Sequence, residues 1–101
     1  MEKRLKLKII NAEEKSRIYS NFVIINHSPA DFTLDFCEIY PIYGEEILKK
    51  IEESGEIEAI SKVRIVMSPP AIKAFLNALK ENYENFEKKY QKTEEESYSD
   101  E

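Results

Sequence analysis

The chain has 101 residues and a formal net charge of -5, from 15 basic and 20 acidic side chains. At about 100–200 residues per domain this length holds one domain, and the acidic balance argues against a dedicated polyanion binder, since such domains are strongly basic. The lone Cys37 excludes a disulfide framework and a thiolate zinc cluster.

No stretch approaches the roughly 20 apolar residues that span a bilayer, and Met1-Glu2-Lys3-Arg4-Leu5-Lys6 lacks the apolar run of a signal peptide. The expectation is a soluble cytoplasmic protein with no membrane association. Lys and Glu are abundant, while Gln occurs once and Gly twice, a balance that resembles proteins from hot environments; a solvated surface is the preferred explanation.

Leu5, Leu7 and Ile9 alternate with Arg4, Lys6 and Lys8, the period-two pattern of a strand with one buried face and one basic face. A polar connector at residues 11–16 leads to an apolar run over 19–27. After Ser28-Pro29-Ala30-Asp31 a third run covers 32–40. Pro and Asp in this connector predict a β-hairpin turn. A two- or four-residue loop pairs His27 with Phe32, Ile25 with Leu34 and Val23 with Phe36 on one face. The other face then carries Phe22, Ile24 and Asn26 opposite Cys37, Asp35 and Thr33. A sheet with one wet side alternates more cleanly than this, so the second face is expected to be partly covered by another segment or a second subunit.

Residues 44–55 place Ile47, Leu48 and Ile51 on one helical face, with glutamates in the first turn and Gly55 just past the end, which predicts a short amphipathic helix. A fourth strand is expected at 63–67. Ser68-Pro69-Pro70 opens the last helix; Pro70 disfavours a helical Pro69 and leaves Pro70 as an alternative first residue. Ile72, Leu76, Leu79, Tyr83, Phe86 and Tyr90 then form a stripe with spacings of 4, 3, 4, 3 and 4, widened by Phe75 and Ala78. Twenty helical residues run about 30 Å, so Phe86 and Tyr90 are expected to overhang the sheet and to seek a partner, most economically a second copy of the chain.

Residues 93–101 hold five acids and no base, which accounts for the whole net charge; the body, 1–92, is neutral. With one Tyr and no aliphatic side chain, the segment 93–101 is read as a disordered acidic tail, because it buries too little to offset its ordering entropy. Within the body, residues 44–60 carry six Glu against Lys49 and Lys50.

Few catalytic constellations fit this composition. The one His and the one Cys lie on opposite faces of the hairpin, five residues apart along it, roughly 17 Å, outside the ~3 Å reach of a nucleophile pair. A Gly-rich phosphate loop and a metalloprotease His pair are both absent. A metal site from His27 with Asp31 or Asp35 is unspecific, and Asp35 and Glu38 point to opposite faces. No catalytic residue, metal or cofactor is therefore expected. The basic strand face of Arg4, Lys6 and Lys8 reads as protection of a sheet edge, as a complement to the acidic 44–60 stretch, or, with Arg64, as a nucleic-acid-binding patch. The acidic tail is either inert or a shield for such a surface.

Tyr19-Ser20-Asn21, His27-Ser28, Asp35-Phe36, Pro41, Arg64-Ile65-Val66-Met67-Ser68-Pro69, Lys73, Leu76, Leu79 and Tyr83, taken together, resemble a family of short bacterial and archaeal proteins known as domain of unknown function 3467. The resemblance spans residues 19–90 and implies no activity. The 44–60 stretch is longer than that family's usual connector.

The expected architecture is α+β: an antiparallel sheet of about four strands, a short connecting helix, and one long C-terminal helix packed on the face with His27, Leu34 and Phe36. The expected function is a non-catalytic protein-interaction module, adaptor or chaperone-like, acting as a homodimer or other homo-oligomer through Phe22, Ile24, Phe86 and Tyr90. The alternative is a nucleic-acid-associated accessory protein using Arg4, Lys6, Lys8 and Arg64. His27 is the polar residue to test.

Overall fold

Alternating apolar runs around a Ser-Pro-Ala-Asp turn fold as a hairpin. In the computed structural model, which describes residues 4–91, β1 (Phe22–His27) and β2 (Phe32–Glu38) pair antiparallel. The register is the expected one, from Phe22 opposite Cys37 to His27 opposite Phe32. The four-residue loop closes on itself. Ser28 donates its backbone N–H to the Asp31 carbonyl at 2.9 Å, and its Oγ accepts from the N–H groups of Ala30 and Asp31 at 3.1 and 3.2 Å. At the other end, Asn21 acts as a side-chain extension of β1. Its Nδ2 donates to the Ile39 carbonyl at 2.9 Å and its Oδ1 accepts from the Ile39 N–H at 2.8 Å.

A ten-residue helix, α1 (Glu45–Ser54), crosses from β2 to β3 (Ile60–Met67). It stops at Gly55, whose φ of 70° is left-handed and whose N–H bonds the Ile51 carbonyl at 2.7 Å. A side chain at that φ is strained, so glycine suits the stop. β3 pairs antiparallel with β2, giving the order β1-β2-β3. The β2–β3 register slips by one between Phe36 and Cys37, a bulge that leaves Lys62 without an opposite residue.

The sheet has three strands among the described residues, against the four expected. Residues 4–10 lie outside it, with Leu5 96% and Leu7 90% exposed. Period-two alternation makes a segment fit to be a strand, but only hydrogen bonds to a neighbour make it one.

The last helix, α2 (Pro69–Phe86), is capped by Ser68, whose Oγ accepts from the Ala71 N–H at 3.3 Å, with Pro69 in the first helical position. Pro69 therefore is helical, and the alternative start at Pro70 is not used. A π-helical turn, Glu87–Gln91, continues it. The expected packing of this helix over His27, Leu34 and Phe36 is not what is found. Ile72 is half-buried, while Leu76, Leu79, Tyr83, Phe86 and Tyr90 stand about half exposed. The helix does not lie along the sheet.

The core consequently lies along the middle strand. Leu34, Asp35 and Cys37, all on β2, are the buried residues among those described. Residues 1–3 and 92–101 lie outside the described residues, and with them the expected tail and the domain boundary after residue 92.

Leu34 is 2% exposed at the centre of the sheet. L34A is expected to lower unfolding free energy by about 2–4 kcal/mol, read from the urea midpoint with the slope unchanged. A loss below about 0.5 kcal/mol, the range of surface substitutions, would show that the sheet does not pack around it.

Candidate interaction surface

Strand alternation divides the sheet into two faces. Val23, Ile25, Phe36 and Ile65 share one with buried Leu34; Phe22 and Ile24 share the other with Asp35, Cys37 and Val66. Apolar side chains stand open on both. Phe22, Val23, Ile24, Ile25, Ile65 and Val66 are all exposed large hydrophobic residues. Of the four residues expected to form an interaction surface, Phe22 and Ile24 are thus adjacent on one sheet face, whereas Phe86 and Tyr90 lie at the end of the long helix. They are two patches. Tyr83, Phe86 and Tyr90 form an aromatic ladder, with ring centroids 6.1 and 5.3 Å apart, spacings at which aromatic pairs attract.

The polar residue that the second face buries is Asp35. The Arg64 Nε donates to its Oδ1 at 2.7 Å across the β2–β3 ladder, and the Ser61 Oγ donates to the same oxygen at 3.2 Å. These bonds, led by that from the guanidinium, hold the Asp35 carboxyl below the ordinary carboxylate range, although burial pulls the other way. Arg64 is raised in turn by Asp35. At the bulge itself, Lys62 pairs with Glu38, which raises the lysine. Arg64 therefore joins the sheet's own ion pairs, while Arg4, Lys6 and Lys8 are exposed on the segment outside it.

His27 and Cys37 sit where the expected register put them, at opposite ends of the hairpin. His27 packs its ring against Phe32 across the strands, centroids 5.6 Å apart. Cys37 is 1% exposed, and its thiol donates to the Asp35 carbonyl at 3.5 Å. Among the described residues no three His, Cys, Asp or Glu side chains gather where they could hold a metal ion, and no helix is long and apolar enough to cross a membrane.

Sequence reading missed a cleft. The turn after β2, α1 and the approach to β3 enclose an open volume of about 640 Å³. Its apolar lining comes from Ile42, Ile47, Ile51, Ile57 and Ile60. Its charged lining is Glu53, Glu56 and Glu58 against Lys50. The acidic bias of residues 44–60 was legible beforehand. Alternation of Glu56, Ile57 and Glu58 was a further sign that one side of this connector is apolar.

Since Asp35 has a lower pKa folded than unfolded, its pairing contributes fully above about pH 5 and fades as pH falls through the ordinary value of about 3.9 toward the lower native one. Unfolding measured from pH 7 to pH 2 should give a stability gap between wild type and D35N that is constant near neutrality and shrinks below about pH 4. A gap that widens toward acid would contradict the pairing.

No curated protein and no solved structure matches this chain. A family profile, described as protein of unknown function (DUF3467), matches residues 1–95, nearly the whole length and more than the 19–90 carried by the motif resemblance. With its hairpin, its Arg64-to-Pro69 strand-helix junction and its long final helix in that order, the chain belongs to the DUF3467 family.

Proposed function

We propose that the protein is a non-catalytic interaction module that works as a homo-oligomer, most economically a dimer, in an adaptor or chaperone-like role. The observation that carries this reading is unburied apolar surface. Large hydrophobic residues stand exposed on β1 (Phe22, Ile24, Ile25), on β3 (Ile65, Val66) and along α2. Contiguous exposed apolar patches of this kind mark interaction sites. They lie on both sheet faces and along the α2 stripe from Leu76 to Tyr90.

The nucleic-acid reading rests on Arg4, Lys6, Lys8 and Arg64. It is the weaker one, because Arg64 is bonded to Asp35 and no aromatic stacking platform interleaves with the three others. A neutral body over residues 1–92 adds no general attraction for phosphates.

Sedimentation at micromolar concentration is expected to give a species of at least twice 11.9 kDa, little changed by added salt. F86S/Y90S and F22S/I24S identify which patch closes it, by the shift toward monomer. A monomer at every concentration would overturn the reading. Binding to DNA or RNA whose log affinity falls linearly with log salt would favour the nucleic-acid role instead.

A further inference from the structure

The segment at residues 4–10 and the cleft beside α1 complement one another in pattern and in charge. The segment alternates Arg4, Lys6 and Lys8 with Leu5, Leu7 and Ile9. The cleft offers isoleucines on its inner surface and Glu53, Glu56 and Glu58 among its lining. An extended peptide laid there points its apolar row inward and its basic row toward the glutamates, since successive side chains of a strand face opposite ways. Ile60, which lines the cleft, is also the first residue of β3. That strand is an edge of the sheet, with unpaired backbone N–H and C=O groups along its outer side. Seven residues in extended form cover about 23 Å, close to the reach of the eight-residue β3.

Within one chain these two features do not meet. Leu5 and Leu7 are almost fully exposed while the cleft is open. The connector leads away across the sheet, where Ile18 and Ser20 border a hollow with Phe36, Val63 and Ile65. A two-fold dimer satisfies both features at once, because each chain has one segment to give and one cleft to fill.

We propose that residues 4–10 of one protomer dock in the Ile57–Glu58 cleft of a second copy and add a strand to its β3 edge, a reciprocal exchange. This rests on the homo-oligomer reading and names the surface that closes it. Backbone bonds to the edge give affinity, and the alternating Leu and Lys side chains give specificity, as in other strand additions. The fourth strand implied by the sequence pattern is then supplied by the partner.

Charge reversal on either side, with mixing, tests the exchange. K6E/K8E puts glutamates into a glutamate-bearing cleft, and E56K/E58K puts lysines beside lysines. Each variant alone, with its fold checked by circular dichroism, is expected to raise the dimer dissociation constant about tenfold or more. An equimolar mixture is expected to associate nearly as well as wild type, because in the mixed dimer both segment–cleft contacts are charge-matched. L5D/L7D should weaken association, and mixing it with E56K/E58K restores only one of the two contacts, so recovery is partial and below that of the K6E/K8E mixture. Docking within a single chain cannot produce rescue by mixing, so failure of the mixture to associate overturns the proposal. Unchanged association of K6E/K8E and L5D/L7D overturns it too, while leaving the homo-oligomer reading intact. A wild-type protein that stays monomeric at all concentrations overturns both.

Discussion

β2 holds this protein together. Among the described residues it alone is paired on both sides, and the three that are buried, Leu34, Asp35 and Cys37, are all on it. The most consequential contact is the one between Asp35 and Arg64. A buried carboxylate is costly unless it is paired and hydrogen-bonded, and Asp35 meets that condition through a guanidinium and a hydroxyl contributed by one neighbouring strand. The pair fixes the β2–β3 register, because a one-residue slip would move Arg64 to the other face of the sheet. Just beyond, the bulge makes that shift locally, and there Lys62 meets Glu38 instead.

Everything outside β2 is less committed. β1 and β3 each have an open edge, both faces carry exposed branched and aromatic side chains, and α2 shows its stripe to solvent. At about 25 cal/mol per Å² of apolar surface, such a distribution leaves much of the available hydrophobic free energy unused in the single chain. A small sheet is marginal without a helix or a second layer across it. The same deficit that weakens the isolated chain leaves apolar faces with no second layer across them.

Local features were legible in the sequence. The hairpin register followed from Ser28-Pro29-Ala30-Asp31, because loop length sets which residues face one another, and every pair from Phe22–Cys37 to His27–Phe32 agrees. The bounds of α1 followed from Gly44 and Gly55, and the start of α2 followed to within one residue from Ser68-Pro69-Pro70. The cleft was not legible, because Ile42, Ile51 and Ile57 come from three different segments and no periodicity links them. Nor was the role of Arg64, which the pattern grouped with Arg4, Lys6 and Lys8. Charge alone does not tell a cation that faces solvent from one that lies opposite an aspartate in the register.

By itself the sequence determined what local forces control: the helices, the hairpin strands, their turn and pairing, and membership of a family whose profile runs along nearly the whole chain. Only the tertiary structure decided how many strands pair, where the helix goes and which apolar faces are covered. Periodicity says that a face is apolar and not what lies against it. Residues 4–10 have the pattern of a strand without a neighbour to bond, and α2 has the stripe of a packed helix without a sheet beneath it. Both depend on contacts between parts distant in sequence, whose energies no local pattern encodes.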